Sequence, residues 1–300
     1  MRLAITGGTG FVGKRLIDVA AEAGHQVTAL TRREQAAREG VQWVEGALDN
    51  APALAQLVTG ADAVLHVAGV VNAPTREGFA AGNIDGTRAM LAAAQAAGIP
   101  RFVLVSSLAA RAPSLSIYGW SKAEAEKLVI DCPLDWTIIR PPAVYGPGDM
   151  EMRDIFSLAS HGWALMPPPG RLSVIHVDDL ARLLLAVAVQ GPTRATIEPD
   201  DGTPGGWTHR GFAQAIGRAV GKRVRVLSLP RPALMLAARL DTMVRGEKAK
   251  LTLDRASYMC HPDWVVDPAK TPPPALWQPE VPTAQGLAET AAWYRANGLL

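Results

Sequence analysis

Cysteine is scarce in this chain. Cys132 and Cys260 are the only two, far apart and outside any CxxC pair. That excludes a disulfide framework and a thiolate metal site, and a reducing cytoplasm is the expected setting. Charge of one sign is lacking as well: 30 basic against 28 acidic side chains leave a net charge of +2. The whole-chain balance gives no electrostatic footprint for nucleic acid or for an anionic membrane surface. No apolar run is long. The most apolar stretch, Leu180 to Val189, contains Arg182 and reaches about half of the roughly 20 residues that a spanning helix requires. Met1 to Gly13 does not read as a secretory signal, because Arg2 stands alone as a charge and glycines break the apolar pattern. Internal repeats are absent too. The expected partner is a small molecule.

What is present is enough apolar material for a large core, 48% of 300 residues, sufficient for one large α/β domain or a domain with an appended lobe. Short β-branched runs alternate with helical periodicity through the first half, which predicts repeated βαβ units and a Rossmann-type, doubly wound parallel sheet. Strands are expected near 2–6, 26–31, 41–45, 63–67, 101–106 and 136–140, with helices over 11–23, 51–58, 81–97 and 117–131. After Arg140 the prolines Pro141, Pro142, Pro147 and Pro167 to Pro169 break any long element, and a second lobe begins. The sheet pattern returns at 173–177 with a helix from Asp179, then departs again after Gly191. The expected organisation is a dinucleotide-binding domain from 1–141 and 171–190. A smaller, interleaved substrate-binding lobe takes 142–170 and 191–300, closed by an amphipathic helix over 283–296 whose Trp293 and Tyr294 dock on the core.

The segment Thr6-Gly7-Gly8-Thr9-Gly10-Phe11-Val12-Gly13 follows the first strand and opens the first helix. In that position Gly7 and Gly10 permit a tight turn and close backbone approach to a pyrophosphate, while Gly13 lets helix and strand pack closely. The amides at the helix start attract the anion. At the end of the second strand, where a carboxylate would select the unphosphorylated ribose, stand Thr31, Arg32 and Arg33. A guanidinium there holds a 2′-phosphate, so NADP(H) is preferred and NAD(H) remains open; the alternative is a pair of solvated surface charges. Tyr118 and Lys122 lie four residues apart at the start of a helix, on one face. A tyrosine is a poor base near neutral pH, and a neighbouring ammonium favours its phenolate. Ser107 ends the fifth strand, where its hydroxyl can bond a substrate oxygen and stabilise developing charge. If strand alternation persists there, Ser106 and Ser107 point to opposite faces and only one of the two serves.

These segments together resemble the extended short-chain dehydrogenase/reductase family, in its NAD(P)-dependent epimerase/dehydratase branch. The resemblance rests on the glycine loop, His66-Val67-Ala68-Gly69, Asn83 to Thr87, Val105-Ser106-Ser107, Tyr118 to Lys122, Arg140 to Gly148 and His176 to Leu180. It implies a catalytic trio of Ser107, Tyr118 and Lys122, with Lys122 also holding the nicotinamide ribose. It implies cofactor contacts at Gly7, Thr9, Gly10, Phe11, Val12, Gly13, Thr31, Arg32, Arg33, Leu48, Val67, Ala68, Gly69, Asn83, Lys122 and Pro141. Relatives also pair through two long helices, so 81–97 and 117–131 are candidate faces for a homodimer. Two departures stand out. Ala47 replaces an aspartate that touches the adenine in relatives, leaving recognition to the backbone around Leu48. The interval from Ser107 to Tyr118 is also short for the extended branch.

Other residues carry two readings. Asn83 is either a cofactor contact or a helix N-cap, and Asp49 is read as the cap of the helix beginning at Ala51. His66 is structural or functional in equal measure. Arg140 is expected in a buried ion pair, and His176 with Asp178 and Asp179 as a helix start rather than a metal site. Trp163, Leu165, Met166, Met235 and Met243 either line an apolar substrate cleft or belong to a core; Arg153 and Arg171 are the competing candidates to clamp a sugar diphosphate. Three functions are therefore expected in turn: an oxidoreductase acting on a hydroxyl or ketone of a small apolar substrate, a nucleotide-sugar epimerase or dehydratase with tightly held NAD, or a non-catalytic NADPH binder.

Overall fold

Near-continuous apolar strands are what a sheet covered on both faces requires, and the chain supplies them. In the computed structural model, which describes residues 1–246, 249 and 251–300, β1 (Arg2–Thr6), β2 (Gln26–Thr31), β3 (Val41–Glu45), β4 (Ala63–His66), β5 (Arg101–Val105) and β6 (Asp135–Ile139) run parallel in the order β6-β5-β4-β1-β2-β3. The two strands β4 and β5 are buried at every position, whereas the edge strand β3 buries only Val44. A seventh strand, Ala195–Ile197, pairs parallel with β6 and closes that edge.

The crossover helices are α1 (Phe11–Glu22), α2 (Ala51–Val58), the short α3 (Arg76–Phe79), α4 (Gly86–Ala96) and α5 (Ile117–Ile130). Their buried positions recur at helical spacing: Gly13, Leu16, Ile17 and Ala20 on α1, and Met90, Leu91 and Ala94 on α4. The principal cluster packs Leu54, Leu57, Met90, Phe102 and Ile138 between helices and sheet.

This sheet belongs to the first of two compact units, Met1–Pro141, Asp178–Pro199 and Ala269–Gln278. The second, Pro142–Val177, Asp200–Pro268 and Pro279–Leu300, is built from short strand pairs and helices around Tyr145, Phe156, Phe212, Leu287 and Tyr294. Its last helix is Thr283–Ala296; Tyr294 is wholly buried and Trp293 packs against the same cluster.

Four sequence expectations differ from the structure. The strand expected at 173–177 is Val174–His176, and it pairs with Ala143–Tyr145 rather than with the large sheet; a three-residue apolar run carries no record of its partner. The chain does not leave the sheet at Gly191, since Ala195–Ile197 is its seventh strand, too short between Pro192 and Pro199 for any period to show. The helix expected over 81–97 is a π-helical turn, Ala80–Asp85, followed by α4. Asn50, not Asp49, caps α2, accepting from the Ala53 amide at 3.1 Å.

Candidate functional site

The order of the strands reverses between β1 and β4, and in an open α/β sheet ligands collect beyond the carboxyl ends of strands at such a point. Thr6 and His66 end these two strands and meet there: the Thr6 hydroxyl lies 2.7 Å from His66 Nδ1 and accepts from the Ala68 amide at 3.2 Å. His66 Nε2 is buried with no hydrogen-bond partner, and desolvation, with the Lys122 ammonium adding to it, holds the ring's pKa down at about 3. His66 is therefore a neutral part of the floor.

The glycine loop rises from this floor. Gly7 has φ +73, and a Cβ on it would stand 2.6 Å from the Ala68 nitrogen; one on Gly13 would stand 2.0 Å from the Gly7 carbonyl oxygen. These positions admit only glycine, for handedness at the first and for space at both. Thr9 and Gly10 are exposed at the tip, and no side chain caps α1 at Gly10. Phe11 and Val12 form the first, half-buried turn of that helix. A bare helix start beside a loop with no side chains in the way fits the pyrophosphate of a dinucleotide.

The next turn around the crevice is Val67-Ala68-Gly69. A Cβ on Gly69 would lie 3.1 Å from Asn83 Oδ1 and 3.2 Å from Lys122 Nζ, so this glycine is the space through which Asn83 and Lys122 approach the loop. Asn83 is not a helix cap. Its Oδ1 accepts from the Val70 amide at 2.7 Å, and its Nδ2 donates to the Val70 carbonyl and to Ser121 Oγ, both at 2.9 Å. That bracing explains the π-helical turn in which Asn83 sits.

Lys122 is 5% exposed and donates to the Val105 carbonyl at 2.8 Å. One of its three N–H donors is thus used, leaving capacity for a ribose hydroxyl. Burial pushes its pKa down to about 8, with the Glu126 carboxylate one turn along α5 working the other way. Tyr118 is half-buried at the start of the same helix, its ring 6.1 Å from that of Phe79, and Ser116 caps the helix by accepting from the Gly119 amide at 2.9 Å. Ser107 opens a 3-10 turn, Leu108–Arg111, accepting from the Ala109 amide at 3.2 Å, so its proton is left to donate outward. That turn is drawn tight against α5: a Cβ on Gly119 would meet the Ala109 carbonyl oxygen at 2.7 Å. The Pro141 carbonyl accepts from the Leu108 amide at 3.1 Å and ties the turn to the end of β6.

Ser106 has a different destination. Its hydroxyl donates to Glu126, whose carboxylate also receives Arg140 Nε at 2.9 Å and Arg140 Nη2 at 2.6 Å. Arg140 reaches Glu198 as well, at 3.2 Å, and Glu198 is shared with Arg111. The expected ion pair of Arg140 is thus a network under the floor of the site. Sequence reasoning missed Glu126, although a lysine and a glutamate four apart on one helix, with an arginine closing a buried strand nearby, carry its signal. It also missed Arg76, which stacks over the Trp120 ring at 3.7 Å.

Farther round the crevice, the Thr31 hydroxyl donates to the Arg33 carbonyl at 2.6 Å and accepts from the Arg33 amide at 3.2 Å. This fixes the turn from which Arg32 and Arg33 project, exposed, at the end of β2. The half-buried Leu48 side chain packs over Gly86, where a Cβ would stand 2.6 Å from its Cδ1. Among the described residues no cluster of His, Cys, Asp or Glu is arranged to hold a metal, and no helix is long and apolar enough to cross a membrane.

Comparison with known proteins agrees with this geometry. Residues 7–188 match the family model described as NAD(P)H-binding. A ceramide reductase from Caulobacter vibrioides is 37% identical over 99% of this chain and 96% of its own length. A 4-hydroxy-2-methyl-3-oxo-4-farnesyl-3,4-dihydroquinoline-1-oxide ketoreductase from Stigmatella aurantiaca is 29% identical over 80% of this chain and 79% of its own. In fold, the chain superposes on a dTDP-glucose 4,6-dehydratase from Streptomyces venezuelae, solved with NAD, at a TM-score of 0.73 and 22% identity, covering 99% of this chain and 98% of that one. The glycine cradle, the strand order and these matches together place the chain in the NAD(P)H-binding family, as an NAD(P)-dependent enzyme with the short-chain dehydrogenase/reductase fold.

Proposed function

We propose that the protein is an NADP(H)-preferring oxidoreductase that interconverts a ketone and a hydroxyl group on an apolar, lipid-like substrate. The observation that carries the chemistry is the packing of the Ser107 turn against the start of α5 through Gly119, which brings a hydroxyl with a proton to donate beside the helix bearing Tyr118 and Lys122. In this reading the Ser107 hydroxyl donates to the substrate oxygen, Tyr118 gives or takes the proton there, and the buried Lys122 ammonium favours the phenolate that results. When bound, the nicotinamide supplies or accepts the hydride. Ser106 takes no part, its hydroxyl being committed to Glu126. The preference for NADP(H) is supported by the exposed Arg32 and Arg33 at the end of β2, where no carboxylate stands. The substrate class is supported by the relatives: one is a ceramide reductase, the other a ketoreductase of a farnesylated 3-oxo compound.

The test is oxidation of NADPH and NADH by purified protein, followed by absorbance, with long-chain aliphatic ketones dispersed in detergent. Turnover with NADPH well above NADH is expected. Loss of about 10²–10⁴-fold on Tyr118→Phe, with dinucleotide affinity unchanged by calorimetry, assigns the proton to that phenol. Copurifying NAD together with conversion of a nucleotide sugar would replace this reading by an epimerase, and dinucleotide binding without turnover of either substrate class would leave a non-catalytic binder.

A further inference from the structure

The helix Arg231–Arg245 of the second unit buries one apolar face and exposes another. Leu234 and Ala238 are buried and pack with Ala256. On the opposite side Leu236, Leu240, Met243 and Val244 are 57%, 52%, 81% and 83% exposed. Leu240 follows Leu236 by four positions, and Met243 and Val244 follow Leu240 by three and four, which places them in a single stripe about 100° wide and about 12 Å long. Helices on a protein surface normally turn charge outward, and a run of large apolar side chains at this exposure marks a surface that meets something. The exposed charges of the helix that are not spent on Asp241 are basic. Arg231 opens the helix and Arg239 flanks the stripe, both exposed, while Asp241, the one acid in the helix, is engaged by Arg245 at 3.1 Å and by the Leu251 amide at 2.9 Å. The strand that leads into this helix, Arg225–Ser228, repeats the combination: exposed Leu227 on the same strand as Arg225, whose guanidinium lies 5.6 Å from the ring of the half-exposed Trp163 on the paired strand.

We infer that this face lies on an anionic phospholipid surface as an interfacial amphipathic helix, with the leucine and methionine stripe in the acyl boundary and the arginines at the phosphates. The charge pattern selects this occupant over a second copy of the chain, because two copies would bring the same excess of arginine to the shared interface, whereas phosphates complement it. Whole-chain charge balance concealed the site; the near-neutral total is an average over a surface that includes an apolar stripe flanked by arginine. The inference is independent of the substrate reading above, since vesicle binding is measured without substrate or cofactor.

The experiment is cosedimentation of the full chain with vesicles of phosphatidylcholine alone and of equimolar phosphatidylcholine and phosphatidylglycerol, with light scattering of the free protein alongside. The expected result is binding to the anionic vesicles that weakens as salt is raised and that falls by about tenfold or more in Leu236→Asp/Leu240→Asp. Because both leucines are exposed, the thermal midpoint and the dinucleotide affinity stay as in the wild type. Arg239→Glu should weaken binding to the anionic vesicles alone. Failure of the wild-type chain to sediment with either vesicle, or equal sedimentation of the aspartate variant, overturns the proposal. A dimer in solution that the aspartate variant dissociates, without vesicle binding, assigns the face to a second copy and overturns it equally.

Discussion

Lys122 places an ammonium where water is excluded, and the consequence is a proton lost early. With its pKa pushed down to about 8 by burial, it is charged below that pH and neutral above it, so under the proposed mechanism support for the Tyr118 phenolate fades as pH rises through about 8. The pH profile of kcat/KM for ketone reduction should turn down there. In Glu126→Gln, which removes the carboxylate that holds the proton on, the turn should move to lower pH. His66 shows the opposite edge of the pH range. Its folded pKa of about 3 lies below the usual 6.5, so the unfolded chain takes up the proton first and stability declines as pH falls from 6.5 toward 3. Between about pH 6 and 5, before carboxylates titrate, this one ring contributes a slope of at most about 1.4 kcal/mol per pH unit. Denaturant melts across that interval should show a shallower slope for His66→Gln. Neither residue's electrostatic condition was legible in the sequence: a lysine in YxxxK and a histidine at a strand end reveal their chemical type but not their depth.

At the scale of elements, the contact between the Ser107 turn and α5 depends on one missing methyl group. Gly119→Ala places a Cβ 2.7 Å from a backbone oxygen that cannot rotate away, so the turn or the helix must shift, at a cost of about 1–3 kcal/mol. The expected outcome is a lower thermal midpoint and a kcat reduced more than tenfold, with dinucleotide affinity nearly unchanged because the glycine loop is separate from this contact. The helices α1, α2 and α5 were legible to within a residue, since apolar spacing and the glycine turn dictate them. The interruption at Asn83 was not: an asparagine in a helical pattern signals a cap equally well, and only the nearness of Val70 and Ser121, distant in sequence, makes it a brace. The cap at Asn50 illustrates the same limit, because Asp49 and Asn50 offer the same acceptor chemistry and only backbone geometry chooses between them.

Across the whole first unit, Arg140 ties α5, β6 and the segment after the seventh strand through Glu126 and Glu198. Arg140→Ala leaves two buried carboxylates short of their main counterion and should cost about 3–5 kcal/mol, read as an earlier midpoint in denaturant with an unchanged slope. The doubly wound parallel sheet was legible from the alternation of strands and helices, whereas its strand order was not, since periodicity does not say which strands are neighbours. The allocation of 191–199 and 269–278 to the sheet unit was not, because neither segment is long enough to declare a period, and Trp277 reveals its place only by donating to the Asp179 carbonyl at 3.0 Å. The alternation of the chain between units at 141, 177, 199, 268 and 278 has a consequence for biosynthesis. While the ribosome has delivered only the first half, β6 stands as an unprotected sheet edge, open to pairing with any passing strand. It is sealed when residues 195–197 emerge, and the unit's last piece, 269–278, is delivered only after residues 200–268 of the other unit, so a fragment that stops short of it lacks part of the nucleotide-binding module.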